Sequence, residues 1–187
     1  MRLFIGVFPP AAIAAQIGAR LDALQLPDAR WVRDENLHLT LTFLGECAAS
    51  ELPPLRAALE RTAATQAALR LELGQLDAFP SLQRPRVLVL RTLRGEAELR
   101  AVAACLEREL GPQRSSDRRS FQPHLTLARL DGSVAAAELG ALAAELADAR
   151  FAFDIDAIDL MQSELGGGPA RYTCLHRAAL RRAKDFT

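Results

Sequence analysis

The tetrapeptide His38-Leu39-Thr40-Leu41 returns letter for letter as His124-Leu125-Thr126-Leu127. Only three histidines occur in the 187 residues, and two of them head these identical segments. Polar and apolar residues alternate within each, which is the period of a half-buried β-strand. Successive strand side chains point to opposite faces, so histidine and threonine share one face while both leucines enter a core. Two such strands facing one cleft supply two proton-transfer groups and two hydroxyl donors, a set suited to moving a phosphoryl group without metal.

The surroundings of the repeat are duplicated as well. Leu3 to Phe8 and Arg86 to Leu90 both read as buried strands. The first is followed by the helical stripe Ile13, Ile17, Leu21 and Leu24, opened by Pro10. The second is followed by Leu99, Val102, Leu106 and Leu110, closed by Gly111-Pro112. Each histidine strand comes next, then a glycine and another helix. In the first half these are Gly45, Ser50 as N-cap, Pro53-Pro54 and the stripe Leu55, Leu59. In the second they are Gly132, Ser133 as N-cap and Leu139, Leu142, Leu146. Leu69 to Leu76 and Phe151 to Leu160 read as the strands that close the two units. From Met161 onward a hairpin is expected, with its turn at Gly166-Gly167-Gly168-Pro169 and Tyr172 to Leu175 as the returning strand.

The predicted fold class is thus α+β: a duplicated, bilobal chain with a pseudo-twofold that brings both His-x-Thr strands to a central groove. A single domain over residues 1–187 is expected, with lobes of about 1–80 and 81–187 and the C-terminal hairpin completing the sheets.

Half of the residues are hydrophobic, enough for a sizeable core, and 23 acidic side chains balance 23 basic ones. A neutral chain has no global field to draw it onto polyanions, so any nucleic-acid contact must be local. Cys47, Cys105 and Cys174 are odd in number and lack metal or redox spacing, which reads as free thiols in a reducing compartment. The opening apolar run is short and stops at Pro9-Pro10, unlike a signal peptide. No stretch approaches the ~20 apolar residues of a membrane span. A soluble, cytoplasmic monomer is expected.

These residues resemble those of the 2H phosphoesterase superfamily, and more narrowly the bacterial RNA 2',3'-cyclic phosphodiesterases, also called 2',5'-RNA ligases. The similarity runs through Arg2-Leu3-Phe4-Ile5, Trp31-Val32, Glu35-Asn36-Leu37 before the first motif, and Phe43-Leu44-Gly45-Glu46 after it. It continues through Phe79-Pro80-Ser81, Arg84-Pro85-Arg86-Val87, Phe121-Gln122-Pro123 with the second motif and Ala128-Arg129, then Ser163-Glu164-Leu165 and Tyr172-Thr173. The chain departs from the pattern at Leu175-His176-Arg177. The resemblance implies two antiparallel sheets lining a groove, with helices packed outside. It also implies opening of RNA 2',3'-cyclic phosphate ends to 2'-phosphomonoesters with no metal or nucleotide cofactor, and a weak reverse ligation through a 2',5' linkage.

Hydrolysis of a cyclic phosphate needs a base for the attacking water and an acid for the departing ribose oxygen. Histidine, with an ordinary pKa of about 6.5, serves as either near neutrality. The resemblance assigns His38 as proton donor to O3' and His124 as proton acceptor from water. The motifs themselves are identical and leave that order open. Thr40 and Thr126 are placed to donate to the non-bridging oxygens, where charge gathers in the transition state.

Further candidates surround these four. Arg129 is a substrate contact by resemblance, although strict alternation puts it on the face opposite His124, so reaching the phosphate requires a bulge or a strand end. Arg114, Arg118 and Arg119 lie in a polar loop before the second motif. Among the aromatic residues Phe8, Trp31, Phe121 and Tyr172, the preferred base-stacking pair is Phe121 and Tyr172. His38, His124 and His176 with Cys174 are a conceivable zinc set, but Cys174-Leu175-His176 has no familiar ligand spacing, and no metal site is expected. The alternatives in function are a non-catalytic nucleotide- or RNA-binding module on the same scaffold, and a phosphodiesterase for 2',5'-linked oligonucleotides or a small cyclic nucleotide.

Overall fold

Leu3, Phe4, Ile5 and Val7 form a buried run that becomes the first strand, and Pro9-Pro10 ends it because proline has no N–H for a ladder. The Pro10 carbonyl then accepts the Ile13 and Ala14 N–H groups and opens the first helix. The computed structural model describes residues 1–22, 26, 29–111, 121–130, 134–164, 166 and 170–182. Its elements are β1 (Arg2–Val7), α1 (Ala11–Asp22), β2 (Ala29–Trp31), β3 (Leu39–Glu46), α2 (Leu52–Thr65), β4 (Leu69–Phe79), β5 (Val87–Arg94), α3 (Glu96–Leu110), β6 (His124–Leu130), α4 (Ala136–Glu145), β7 (Arg150–Ile155), β8 (Ala157–Glu164) and β9 (Arg171–Ala179).

Each helix buries the stripe its sequence announces: Ile17 and Leu21 in α1, Leu55 and Leu59 in α2, Leu99, Val102 and Leu106 in α3, and Leu139 and Leu142 in α4. Leu24 lies outside the described residues. Gly111 closes α3 in the left-handed region at φ 80°. Ser50 does not cap α2. It sits inside a short 3-10 turn, Ala49–Glu51, where the Glu51 carboxylate accepts the Ala48 N–H at 2.7 Å, and the helix proper starts at Leu52. Ser133 lies outside the described residues; the N-cap of α4 is Ala135, whose N–H is held by Glu138 at 2.9 Å. Among the described residues no helix is long and apolar enough to cross a membrane.

The strands form two antiparallel sheets, β3-β1-β8-β9 and β2-β6-β5-β4-β7. The duplication is real but its closing strands are exchanged. β4 follows α2 yet pairs with β5, the opening strand of the second unit, and β8 returns to pair with β1. The halves 1–80 and 81–187 are therefore not the two sheets. The helices are exchanged in the same sense, with α1 against β7 and α4 against β4, while α3 packs on β3 and α2 on β8 and β9. Buried residues from both sheets and all four helices join in one hydrophobic cluster.

Two strand readings need correction. Phe151 to Leu160 is not one strand: it breaks at Asp156, with β7 in one sheet and β8 in the other. The alternating burial of Phe151, Phe153 and Ile155 gives way to unbroken burial from Ala157 to Met161, so the apolar run hides a change of partner. The short β2 had no signal of its own and exists because it pairs with β6. The expected C-terminal hairpin is formed by β8 and β9, paired from Ala157–Ala179 to Glu164–Arg171. Of its glycine turn, only Gly166 is among the described residues.

Candidate active site

His38 stands immediately before β3 and His124 begins β6. Leu39, Leu41, Leu125 and Leu127 are buried, whereas both histidines and both threonines are only partly covered, as the alternation predicts. β3 and β6 touch each other from their separate sheets, which sets the two motifs on either side of one groove.

The two imidazoles are oriented in the same way. Nδ1 of His38 donates to the Asn36 carbonyl at 2.6 Å, and Nδ1 of His124 donates to the Gln122 carbonyl at 2.8 Å. A carbonyl oxygen only accepts, so each neutral ring carries its hydrogen on Nδ1 and keeps the lone pair on Nε2, which can accept a proton. Asn36 is anchored in turn: its buried side chain donates to the Ala170 carbonyl at 2.8 Å, ahead of β9. Neither the Thr40 nor the Thr126 hydroxyl bonds to any described residue.

Aromatic rings pack around the histidines. His38 lies against Phe4 (centroids 4.8 Å), stacks on Phe8 (5.4 Å) and meets Tyr172 edge-on (5.2 Å), while Phe79 meets His124 edge-on at 4.9 Å. Burial among these groups disfavours the charged imidazolium and holds both histidines below the ordinary value of 6.5. At His38 the Asn36 carbonyl opposes the shift, and the charges of His124 and Arg129 deepen it. At His124 only the Gln122 carbonyl opposes the effect of burial. Burial also raises the Tyr172 phenol, against the pull of Arg129 and Arg2.

Arg129 reaches the groove because both histidine strands carry the same bulge. In β3, Thr40 pairs with Gly6 and Thr42 with Ile5, which leaves Leu41 unpaired. In β6, Thr126 pairs with Val89 and Ala128 with Leu88, which leaves Leu127 unpaired. The extra residue reverses the alternation, so Thr42 and Ala128 are buried and the residues after them face the groove. Those residues are Arg129, whose charge bears on His38 and Tyr172, and its counterpart Phe43, 59% exposed.

The structure thus brings together His38, Thr40, His124, Thr126, Arg129 and Tyr172. Phe121 stands apart: partly buried, it packs against the hydrophobic core, and its carbonyl accepts from Arg100. Trp31 also packs against the core. Arg114, Arg118 and Arg119 lie outside the described residues. The conceivable zinc set is divided, for His176 pairs with Glu60 of α2 at 2.6 Å on the helix side of its sheet. Among the described residues no three His, Cys, Asp or Glu side chains form a metal cluster. Sequence reasoning missed Phe4, Phe79 and Gly6. A Cβ on Gly6 would stand 2.8 Å from the Leu39 carbonyl, so the missing side chain is what lets β3 come this close to β1 beside His38. A glycine inside an apolar strand was the available signal.

Two sheets that each carry a His-x-Thr strand to a shared groove define a two-histidine phosphoesterase. The sequence profile of the 2'-5' RNA ligase superfamily matches residues 9–167, and the chain belongs to that superfamily. A protein of Aeropyrum pernix named RNA 2',3'-cyclic phosphodiesterase is 37% identical over 138 residues, covering 72% of this chain and 76% of its own. One of the same name from Thermus thermophilus is 36% identical over 135 residues, 69% of this chain and 68% of its own. Among solved structures, TT0787 of Thermus thermophilus superposes with a TM-score of 0.78 at 30% identity, covering 97% of this chain and 99% of that one. E. coli LigT complexed with 3'-AMP gives 0.78 at 28% identity, covering 96% and 97%.

Proposed function

We propose that this chain hydrolyses RNA 2',3'-cyclic phosphate ends to 2'-phosphomonoesters by metal-independent acid/base catalysis with His38 and His124. The observation that carries the reading is the matched setting of the two imidazoles, each held through Nδ1 by the carbonyl two residues upstream, on facing strands. The relatives named RNA 2',3'-cyclic phosphodiesterase support the substrate class.

Neutral His124 takes a proton from water as its oxygen bonds to phosphorus. The P–O3' bond breaks, and O3' takes the proton of protonated His38. The phosphate remains on O2'. Thr40 and Thr126 donate to the non-bridging oxygens, and Arg129 offsets their charge. Burial favours the neutral form of both histidines in the free groove, and a bound phosphate anion favours the proton that His38 must carry. With a 5'-hydroxyl in place of water, the same steps in the same direction make a 2',5' linkage, and run backwards they return it to the cyclic phosphate and a free 5'-hydroxyl.

Incubation of purified protein in EDTA with a short RNA bearing a 2',3'-cyclic phosphate tests this. The expected product is a 2'-phosphate made by wild type and not by the His38→Ala/His124→Ala double variant. A 3'-phosphate reverses the leaving-group assignment. Binding of the RNA without turnover favours the non-catalytic module.

A further inference from the structure

Beside His124, on the same face of its sheet, lies a cleft of about 340 Å³ that the hydrolysis does not use. It is lined by Asp77, Phe79, Ser81, Gln83, Arg91 and Gln122, among others, and is large enough for a small molecule. The strand register puts it there. Arg91 is the direct partner of His124, and Asp77 lies in the row of Val89 and Thr126. Phe79, whose ring meets His124, forms a wall common to the cleft and the catalytic groove.

The polar groups of this cleft fall into two sets. Asp77 and Arg91 pair at 2.7 Å, so their charges balance within the cleft. The side chains of Ser81, Gln83 and Gln122 make no hydrogen bond to any described residue. An amide offers a donor and an acceptor side by side, the pattern that pairs with a base edge, and unstacked bases are read in this way. The His38 side of the groove is built instead from Phe4, Phe8 and Tyr172.

Displacement at phosphorus places the attacking and leaving oxygens roughly in line on opposite sides. With O3' at His38, the attacking oxygen lies at His124. Water needs no room beyond it, but a nucleoside attacking through its 5'-hydroxyl carries its ribose and base past His124, where the cleft lies. We infer that the cleft is the subsite for the nucleoside bearing the attacking 5'-hydroxyl, with Ser81 and Gln83 reading its base. This rests on the acid and base roles proposed above. In that step the 5'-oxygen bonds to phosphorus and gives its proton to His124, while the P–O3' bond breaks and O3' takes the proton of His38.

The test is calorimetric binding of two probes of equal charge to the full chain. One is a 2',5'-linked dinucleoside monophosphate; the other is the same 2'-nucleotide as its phosphate methyl ester, which lacks the second nucleoside. Wild type is expected to bind the dinucleotide at least about 5-fold more tightly, and Ser81→Ala/Gln83→Ala to lose that margin while binding the methyl ester as before, in line with loss of ordinary hydrogen bonds. Equal binding of both probes by wild type overturns the inference. So does equal weakening of both probes by the substitutions, which assigns the cleft to the nucleoside bearing the cyclic phosphate. Hydrolysis of a 2',3'-cyclic mononucleotide, measured in parallel, separates the two ideas: a binding margin without hydrolysis refutes the proposed reaction and leaves the subsite standing.

Discussion

Nδ1 of His38 donates to the backbone carbonyl of Asn36 at 2.6 Å, a bond made within the segment that leads into β3. Because the acceptor is main chain, the ring is aimed by the path of the backbone. The second motif repeats the arrangement through Gln122, so both rings present Nε2. If both transfer protons, His38→Ala and His124→Ala should each lower the rate on a cyclic phosphate by about 10²–10⁴. Groups that act as a unit are not additive, so the double variant should be little slower than the slower single one. Steady-state rates on purified, folded variants check both points, and near-normal turnover in either single variant would sink the scheme.

The pH profile follows from the direction of the shifts. In the proposed scheme the reactive form has one neutral and one protonated imidazole, and both values lie below 6.5 in the free protein. Because kcat/KM reports the free enzyme, its maximum should fall below pH 6.5 and decline as pH rises further. Arg129 pushes His38 down, so Arg129→Gln should raise that pKa and carry the alkaline limb upward, whatever it does to the height. A maximum above pH 7, or a limb unmoved by the substitution, contradicts this account.

Gly6→Ala should damage the site without touching a catalytic group. The new Cβ meets the Leu39 carbonyl at 2.8 Å, and a backbone atom between paired strands yields only if β3 moves and takes His38 with it. Overpacking of this kind costs about 1–3 kcal/mol. Urea unfolding should show that loss, with a drop in activity that persists where the variant is fully folded. Full activity in the folded variant would show that the close approach has no catalytic consequence.

Thr42→Val should act in the opposite direction. The bulge at Leu41 turns Thr42 into the core, 2% exposed, where its hydroxyl has no hydrogen-bond partner among the described residues. Replacing it with a methyl removes a buried polar group that has no partner, for a gain on the order of 1 kcal/mol. The urea midpoint should rise with activity unchanged; a fall in the midpoint would mean that the hydroxyl is satisfied in solution.

These cases mark how far the residues could be read directly. The partition of His38, Thr40, Leu39 and Leu41 between groove and core was legible because alternation on a strand is local, and the helical stripes were legible for the same reason. Arg129 was not, because counting faces along β6 fails at Leu127. The closing strand Phe151 to Leu160 looked continuous because hydrophobicity records burial and not the partner that provides it. Asp156, where the chain changes sheets, carries no sign of that exchange.

By itself the sequence determined the duplicated order of elements, the paired His-x-Thr strands and the chemistry those side chains can perform. These depend on periodicity and residue type, which act over a few neighbouring positions. Only the tertiary structure decided that the units exchange their closing strands, that Arg129 and Phe43 turn into the groove, and that a polar cleft flanks His124. Each of those is set by pairing between residues far apart in the chain, where a shift of one position reverses every face that follows.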